Sequence, residues 1–377
     1  MIHEEFLEPL EELIQSTNDE VIGIIARRIK SFEGLSPSDI DKLANLSRTK
    51  DLDEIKQLLA ELTDKTEKEI QNIFEKSAKE NDKLAERLFE AKNIPQATYL
   101  SSKQLKSILG RFMDETKEKV LNISKTRAFV IDGKVTNISK AYKNVINRAV
   151  YQASQGFVDY KTAMRRSVME LAQSGIQVVE FDTGYTRRLD SQVRMNVLDG
   201  LSQMNMAYYE QQGEEFGADG YEISAHSLCA EDHLHIQGKQ YTKEQYKAIN
   251  SSLVRPIGTM NCRHVAYPIL IGISEPAYTS AELNEMAQKS TEAVTYTDLL
   301  GKEKTVERYQ ATQRQRRIET QIRQLKSEKY ALDQLGDAVG VKAVQKKIND
   351  KVKYYKKMSS EVGILPKLDR LTVKKPN

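Results

Sequence analysis

The chain has 377 residues, 39% of them apolar and 29% charged, with no tryptophan, eight prolines and a formal net charge of +3. That length supports two or three domains with substantial cores. The longest apolar runs, at 21–26 and 268–273, fall far short of the ~18 residues of a membrane span, so no such span is expected. The charge is unevenly spread. Residues 1–100 carry 14 Lys and Arg against 22 Asp and Glu, a balance of −8, whereas residues 301–377 carry 20 against 9, a balance of +11. Ends of opposite sign point to different partners.

Residues 1–100 read as an acidic helical region. Ser36-Pro37-Ser38-Asp39 sets a capping hydroxyl before a proline whose missing N–H costs nothing at the first helical position, so a helix over 37–46 is predicted. Leu52, Ile55, Leu58, Leu59 and Leu62, then Ile70, Ile73 and Phe74, recur at three- and four-residue spacing. They predict a helix from Asp51 to Lys92, or two with a break near Thr63, ending before Pro95.

Residues 101–216 form a second helical region. Helices are predicted over 101–124, 137–155 and 159–174, with Gly156 and Gly175 as left-handed caps of the last two. Asp132-Gly133 between β-branched residues predicts a small hairpin over Val130–Val135. Val178–Phe181 reads as a strand or extended link. A long helix over Thr186–Phe216 follows, with Val193, Val197, Leu201, Met204 and Tyr208 along one side.

After Gly217-Ala218-Asp219-Gly220 the pattern changes to short strands at 221–225, 240–242 and 265–267 and a short helix capped by Thr242. Residues 217–280 thus form a compact α+β module. Residues 226–264 hold four of the chain's five histidines and both cysteines. Zinc binds thiolate and imidazole tetrahedrally, and structural sites commonly take ligands from two arms. Here one arm holds His226, Cys229 and His233, and the other Cys262 and His264, so these five are the candidate ligands of a structural zinc ion. Such an ion would fasten a module whose apolar residues alone make a thin core. Other readings of the same residues are two buried thiols with histidines bonded to main chain, a disulfide, or a catalytic cysteine or zinc centre. The acidic opening Met1-Ile2-His3-Glu4-Glu5 does not resemble a secretory signal, which disfavours the disulfide. Gly238 is expected in a left-handed turn, Asn261 as a shaper of the second arm, and Arg263 as a donor to a thiolate or to Asp232.

Residues 281–377 read as a basic helical region, with helices over 279–290, 305–335 and 341–360, no strand-rich stretch, and a disordered tail over 366–377. Arg314, Arg316 and Arg317, then Lys346, Lys347, Lys353, Lys356 and Lys357, line the last two helices. They offer a surface able to neutralise phosphates without reading sequence, or simply a solvated face. The fold class expected for the whole chain is mainly α with one small α+β module.

The residues around the cluster follow one another in a distinctive order: Glu222-Ile-Ser-Ala-His226, His233-Leu-His-Ile-Gln-Gly238-Lys-Gln-Tyr241, Gly258-Thr-Met-Asn-Cys-Arg-His264, Tyr267-Pro268 and Gly272-Ile-Ser274. Over about residues 180–280 this resembles the phage minor capsid protein 2 family, related to the Mu F-like head morphogenesis proteins. Many of those relatives have a second cysteine where this chain has Ala230, which would leave Cys229 or His226 to supply the remaining ligand. The resemblance implies a non-enzymatic minor protein of a tailed-phage or prophage head, assembled in the bacterial host cytoplasm. Its implied partners are the portal, the major capsid or scaffold protein, and packaged double-stranded DNA on the basic helices. The alternative is a zinc-dependent hydrolase or nuclease built on the 226–264 cluster, with Glu231 or Asp232 as general base.

Overall fold

Two hydroxyl side chains explain why the amino-terminal stripes fuse into one long helix. A computed structural model of the chain describes residues 4–35, 37–90, 102–154, 160–179, 185–215 and 217–372. Ser47 Oγ donates to Leu43 O at 2.7 Å, and Thr63 Oγ1 to Leu59 O at 2.9 Å. Each hydroxyl is satisfied within its own helix and does not compete for the backbone elsewhere. Of the two alternatives for this stretch, the single helix without a break near Thr63 is the one present, and it also absorbs the separate helix expected over 37–46. Helix α2 runs unbroken over Pro37–Glu90, 54 residues, or about 80 Å at 1.5 Å per residue. The predicted cap at Ser36, the helix end at Lys92, Gly156, Phe181 and the tail beyond Thr372 lie outside the described residues.

Helix α1 (Glu8–Lys30) precedes α2 and carries a proline in its first turn. Its Ile14, Val21, Ile22, Ile25 and Ile29 are all buried. Arg28 of α1 grips the Asp51 carboxylate of α2 through two hydrogen bonds of 2.6 and 2.7 Å, and the Tyr142 hydroxyl donates to the same carboxylate. This bidentate, charge-assisted contact fixes the crossing of the first two helices. Helix α3 (Lys103–Ser124) is capped by Ser102.

The predicted Asp-Gly hairpin is present as β1 (Arg127–Ile131) and β2 (Lys134–Asn137). Asp132 and Gly133 both adopt positive φ, 50° and 71°, the two-residue turn that matches strand twist. Helices α4 (Ile138–Ser154) and α5 (Tyr160–Ser174) follow, and Gly175 at φ 61° ends the second. Strands β3 (Gln177–Val179) and β4 (Thr186–Arg188) complete an antiparallel sheet of order β2-β1-β3-β4. The long helix expected from Thr186 consequently starts later, as α6 (Leu189–Glu215). Thr186, Arg187 and Arg188 pair with Val179, Val178 and Gln177 instead. The α6 stripe Val193, Val197, Leu201, Met204 and Tyr208 is buried as its spacing predicts. Gly200 lets α3 come close, since a Cβ there would lie 2.1 Å from Thr116 Oγ1.

The α+β module is a three-stranded antiparallel sheet of order β6-β5-β7, made of β5 (Gly220–Ile223), β6 (Gln240–Thr242) and β7 (Ala266–Ile269). A short helix α7 (Glu231–Leu234) and α8 (Lys243–Ser252) join its strands, the latter opened by a reciprocal Thr242–Gln245 capping box. Helix α9 (Ser280–Thr291) starts with a second such box, Thr279–Glu282. Beyond it the sequence reading needs correction. Residues 293–307 form a hairpin, β8 (Ala293–Thr297) and β9 (Glu303–Glu307), so the basic helix α10 begins at Arg308 and runs to Leu335. The hairpin buries only Val294 and Tyr296 of β8, too few to leave an alternating apolar signal. Gly336 at φ 74° turns the chain into α11 (Ala338–Glu361).

The expected disordered tail is also corrected as far as Thr372. Leu371 is buried beside Tyr355 and Met358, Lys367 N donates to the Tyr355 hydroxyl at 2.9 Å, and Arg323 donates to Arg370 O at 3.1 Å.

The largest core joins residues from Leu7 to Ile348. Helix α10 lies against α1, α5 and α11, so the acidic and basic ends of the chain share one interior. Gln15 of α1 bonds Ser327 of α10 at 2.9 Å and receives Arg188 at 3.1 Å, and Asn18 accepts from Ile176 N at 2.7 Å. The module has a separate, small core of Ile223, Ile236, Ile257 and Cys262.

Candidate metal centre

The two arms of the cluster are shaped by short local structures. His233 lies in α7, and Cys262 and His264 lie on the turn ahead of β7. That turn is held from outside the module. Met260 and Asn261 both have positive φ, 51° and 61°, which disfavours non-glycine residues by about 1–2 kcal/mol each. Their N–H groups donate to the two carboxylate oxygens of Asp199 on α6, at 2.9 and 3.1 Å. Cys262 N then donates to Thr259 O at 2.8 Å, closing the turn.

His233 Nδ1, His264 Nδ1 and Cys262 Sγ form a triangle with sides of 3.3, 3.5 and 3.5 Å. Tetrahedral zinc at its usual bond lengths holds two nitrogens about 3.3 Å apart and a nitrogen and a sulfur about 3.6 Å apart. Among the described residues these are the three Cys, His or acidic groups whose donor atoms gather at metal-binding distance.

The hydrogen bonds behind the rings set their tautomers. His233 Nε2 donates to Arg255 O, 2.7 Å away, and His264 Nε2 faces Gln237 Oε1 at 3.2 Å. Both carbonyl oxygens only accept, so each Nε2 carries the proton and each Nδ1 presents a lone pair to the centre. Two nitrogen lone pairs at 3.3 Å repel unless a cation or a shared proton sits between them. Burial holds the His233 imidazole below its usual pKa. Burial, with His226 and His233 alongside, pushes His264 down to about 3. Both rings are therefore neutral near pH 7, as metal ligation requires. Burial raises the Cys262 thiol, a cost that a bound cation would reverse by stabilising the thiolate.

Of the five expected ligands, these three are brought together. Cys229 is buried, with its Sγ 3.6 Å from the opposite nitrogen of His264, Nε2, and 3.2 Å from Ala230 O. Its thiol is pushed up to about 12 by burial, with Cys262 and Asp232 adding to the rise. The His226 ring stacks on His264, centroids 4.4 Å apart and planes at 29°, and its Nδ1 donates to Ser227 O at 2.9 Å. His235 is exposed. Asp232, the residue expected to face Arg263, is held by both ends of the Arg255 guanidinium, while Arg263 is exposed on the wall of a cavity of about 310 Å³ in front of the centre. Gly238 has the expected positive φ of 69°, and a Cβ there would meet Leu283 Cδ2 at 2.2 Å.

Asp199, Gln237 and Arg255 support the centre but were not foreseen from the sequence. Gln237 and Arg255 sit between the ligands without any motif of their own. Asp199 lies 61 residues before Met260, and only folding brings it near.

On the basic helices, Arg316, Arg317, Lys346, Lys347, Lys353, Lys356 and Lys357 are exposed. The other face of α11, with Val344, Ile348, Tyr355 and Met358, is buried. Arg314 is half-buried beside Tyr354. No helix among the described residues is long and apolar enough to cross a membrane.

No curated protein and no solved structure matches the chain. The family model described as phage minor capsid protein 2 matches residues 3–358, well beyond the 180–280 stretch that carries the sequence resemblance. With the amino-terminal helices, the Cys/His module and most of the basic helical pair inside that match, the chain belongs to the phage minor capsid protein 2 family and is a structural protein of the phage head.

Proposed function

We propose that this protein is a minor head component of a tailed phage or prophage that associates with the portal or inner capsid, acts in head morphogenesis, and carries one structural zinc ion. The observation that carries the zinc reading is the His233, Cys262 and His264 triangle with both Nδ1 lone pairs turned inward. Zinc there ties α7 to the turn before β7 across a core of four buried residues. Cys229 or His226 would reach the fourth position only by turning toward the centre; otherwise water from the adjoining cavity fills it. Elemental analysis of protein purified without chelator tests this reading, with near one zinc per chain expected.

The basic face is read as a non-specific contact to packaged double-stranded DNA. Lys346, Lys347, Lys353, Lys356 and Lys357 are exposed along about 16 Å of α11 axis. Five phosphate contacts correspond to a slope of about −4.5 in log affinity against log salt. Reversing Lys346 and Lys347 to Glu should flatten that slope by about 2. A slope unchanged by the reversal would remove DNA from this face.

One observation favours the hydrolase or nuclease reading: three protein donors beside a cavity are also how catalytic zinc sites are built. Against it, the Asp232 carboxylate is committed to Arg255 and is poorly placed to act as a base. Zinc-dependent cleavage of DNA or peptide by the purified protein, lost in Cys262→Ser, would favour the enzyme.

A further inference from the structure

Two adjoining cavities, of about 540 and 310 Å³, lie beside the metal centre and share Asn261, Cys262, Arg263, Arg316 and Arg370 in their walls. They are a place where α6, the Cys/His module, α10 and the docked carboxy-terminal segment meet. The smaller cavity has Arg255, Arg263, Arg316, Lys367 and Arg370 in its wall and, among the described residues, no carboxylate. The larger adds Arg194 and Arg323 against Glu11 and Glu319, so its wall is +3 by formal charge, five Arg less two Glu. A third cavity of about 410 Å³ shares Glu11, Arg194, Arg323 and Arg370 with the larger one and adds Glu5, Glu8, Glu12, Asp190 and Asp369 to its wall. Three of these cations stand in ion pairs, Arg255 with Asp232, Arg194 with Glu11, and Arg370 with Glu319 at 3.9 Å.

The larger cavity has a second chemistry. Tyr209 and Tyr267 both stand in its wall, rings 5.0 Å apart and tilted by 55°, and Tyr267 is 40% exposed. Guanidinium forks match phosphate oxygens two at a time. An aromatic face beside a basic groove is how proteins take up an unpaired base. The volumes are those of small-ligand sites.

We propose that these joined cavities bind one nucleotide unit, with its phosphate on Arg263, Arg316 and Arg370 and its base against Tyr267. A simple carboxylate or phosphate ligand would use the arginines and leave the tyrosine pair idle. The unit has two sources of the same chemistry, a free nucleotide or the terminal nucleotide of a single DNA strand. The inference does not depend on the duplex contact assigned to α11, which uses different residues.

Calorimetric titration of the full chain with deoxyadenosine monophosphate, a 5′-phosphorylated deoxyadenylate oligomer and inorganic phosphate tests it. The nucleotide binds at one site per chain, and Arg263→Glu or Arg316→Glu weakens it by about tenfold or more. Tyr267→Ala weakens the nucleotide and leaves inorganic phosphate unchanged. The double reversal of Lys346 and Lys347 to Glu changes neither. An oligomer that binds much more tightly than the mononucleotide identifies a strand end as the source, and equal affinities identify the free nucleotide. Arg263 and Arg316 are exposed, and the thermal midpoint of each variant is measured beside its binding so that a loss of fold is told from a loss of binding; Arg316→Gln supplies a milder variant read in the same way. The proposal is overturned if neither nucleotide binds, if inorganic phosphate binds as well as the nucleotide whatever stands at position 267, or if the lysine reversals abolish binding.

Discussion

Cys262→Ser compared with Cys229→Ser separates a zinc clamp from a pair of ordinary buried thiols. Zinc present at about a thousand times its dissociation constant stabilises the folded chain by ~4 kcal/mol. Unfolding entropy of ~2.1 cal/mol/K per residue over 377 residues is about 0.8 kcal/mol/K, so zinc should raise the midpoint by about 5 °C if the chain melts as one unit. If the module of residues 217–280 melts alone, its 64 residues give about 0.13 kcal/mol/K, and the same ion moves that local transition by about 30 °C. The assay is scanning calorimetry with and without chelator, alongside metal content per chain. Taking the chelator effect within each variant cancels the packing cost of altering Cys262, which sits against Ile223, Ile236 and Ile257. Wild type and Cys229→Ser should hold near one zinc and lose stability to chelator, whereas Cys262→Ser should do neither. A chelator-sensitive shift that survives Cys262→Ser, or wild type without zinc, refutes the reasoning from the donor triangle.

Three further outcomes can be checked. In metal-free protein, burial and the neighbouring His226 and His233 push His264 down to about 3, so the unfolded chain takes up a proton first as pH drops. The contribution of this group is complete above the ordinary pKa of ~6.5 and is lost as pH falls from there toward 3, with about 2 kcal/mol gone by pH 5; urea unfolding at pH 7 and 5 measures it, and equal stabilities would contradict it. Asp199→Ala removes both acceptors of the Met260 and Asn261 N–H groups and should lower zinc affinity by about 10- to 100-fold while circular dichroism stays unchanged; competition with a chromophoric chelator reads the affinity. Gly238→Ala, at φ 69° and against Leu283, should destabilise by about 2 kcal/mol, and a urea midpoint within error of wild type would show that the turn relaxes freely.

The sequence was most informative where a residue acts through local rules. Asp132-Gly133 between β-branched residues pointed to a tight hairpin turn, Thr242 marked a helix start, and the α6 stripe announced its buried side. The clustering of Cys and His within residues 226–264 pointed to the donor set, and three of those residues meet. It could not say which nitrogen each ring presents, because Gln237 and Arg255 decide that through bonds set by the fold. The gap expected between a helix over 37–46 and one from Asp51 is absent, because Ser47 satisfies its hydroxyl on its own helix. The β8–β9 hairpin and the docked Leu371 carried too little buried surface to mark the sequence. The cavity beside the metal centre draws on residues from Glu11 to Arg370, a separation that no periodicity reaches.

The packing of α10 on α1 sets a timetable for synthesis. Gln15 and Glu20 of α1 find their partners in Ser327 and Tyr330, 2.9 and 2.7 Å away. Roughly 300 residues must be translated between the two helices, some 15–60 s at usual rates of elongation. Until then the isoleucine face of α1 has only part of its cover, and the nascent chain is a natural client for chaperones. A truncated product would keep that face open. Docking of α10 therefore closes that face only once the chain has been made through Leu335.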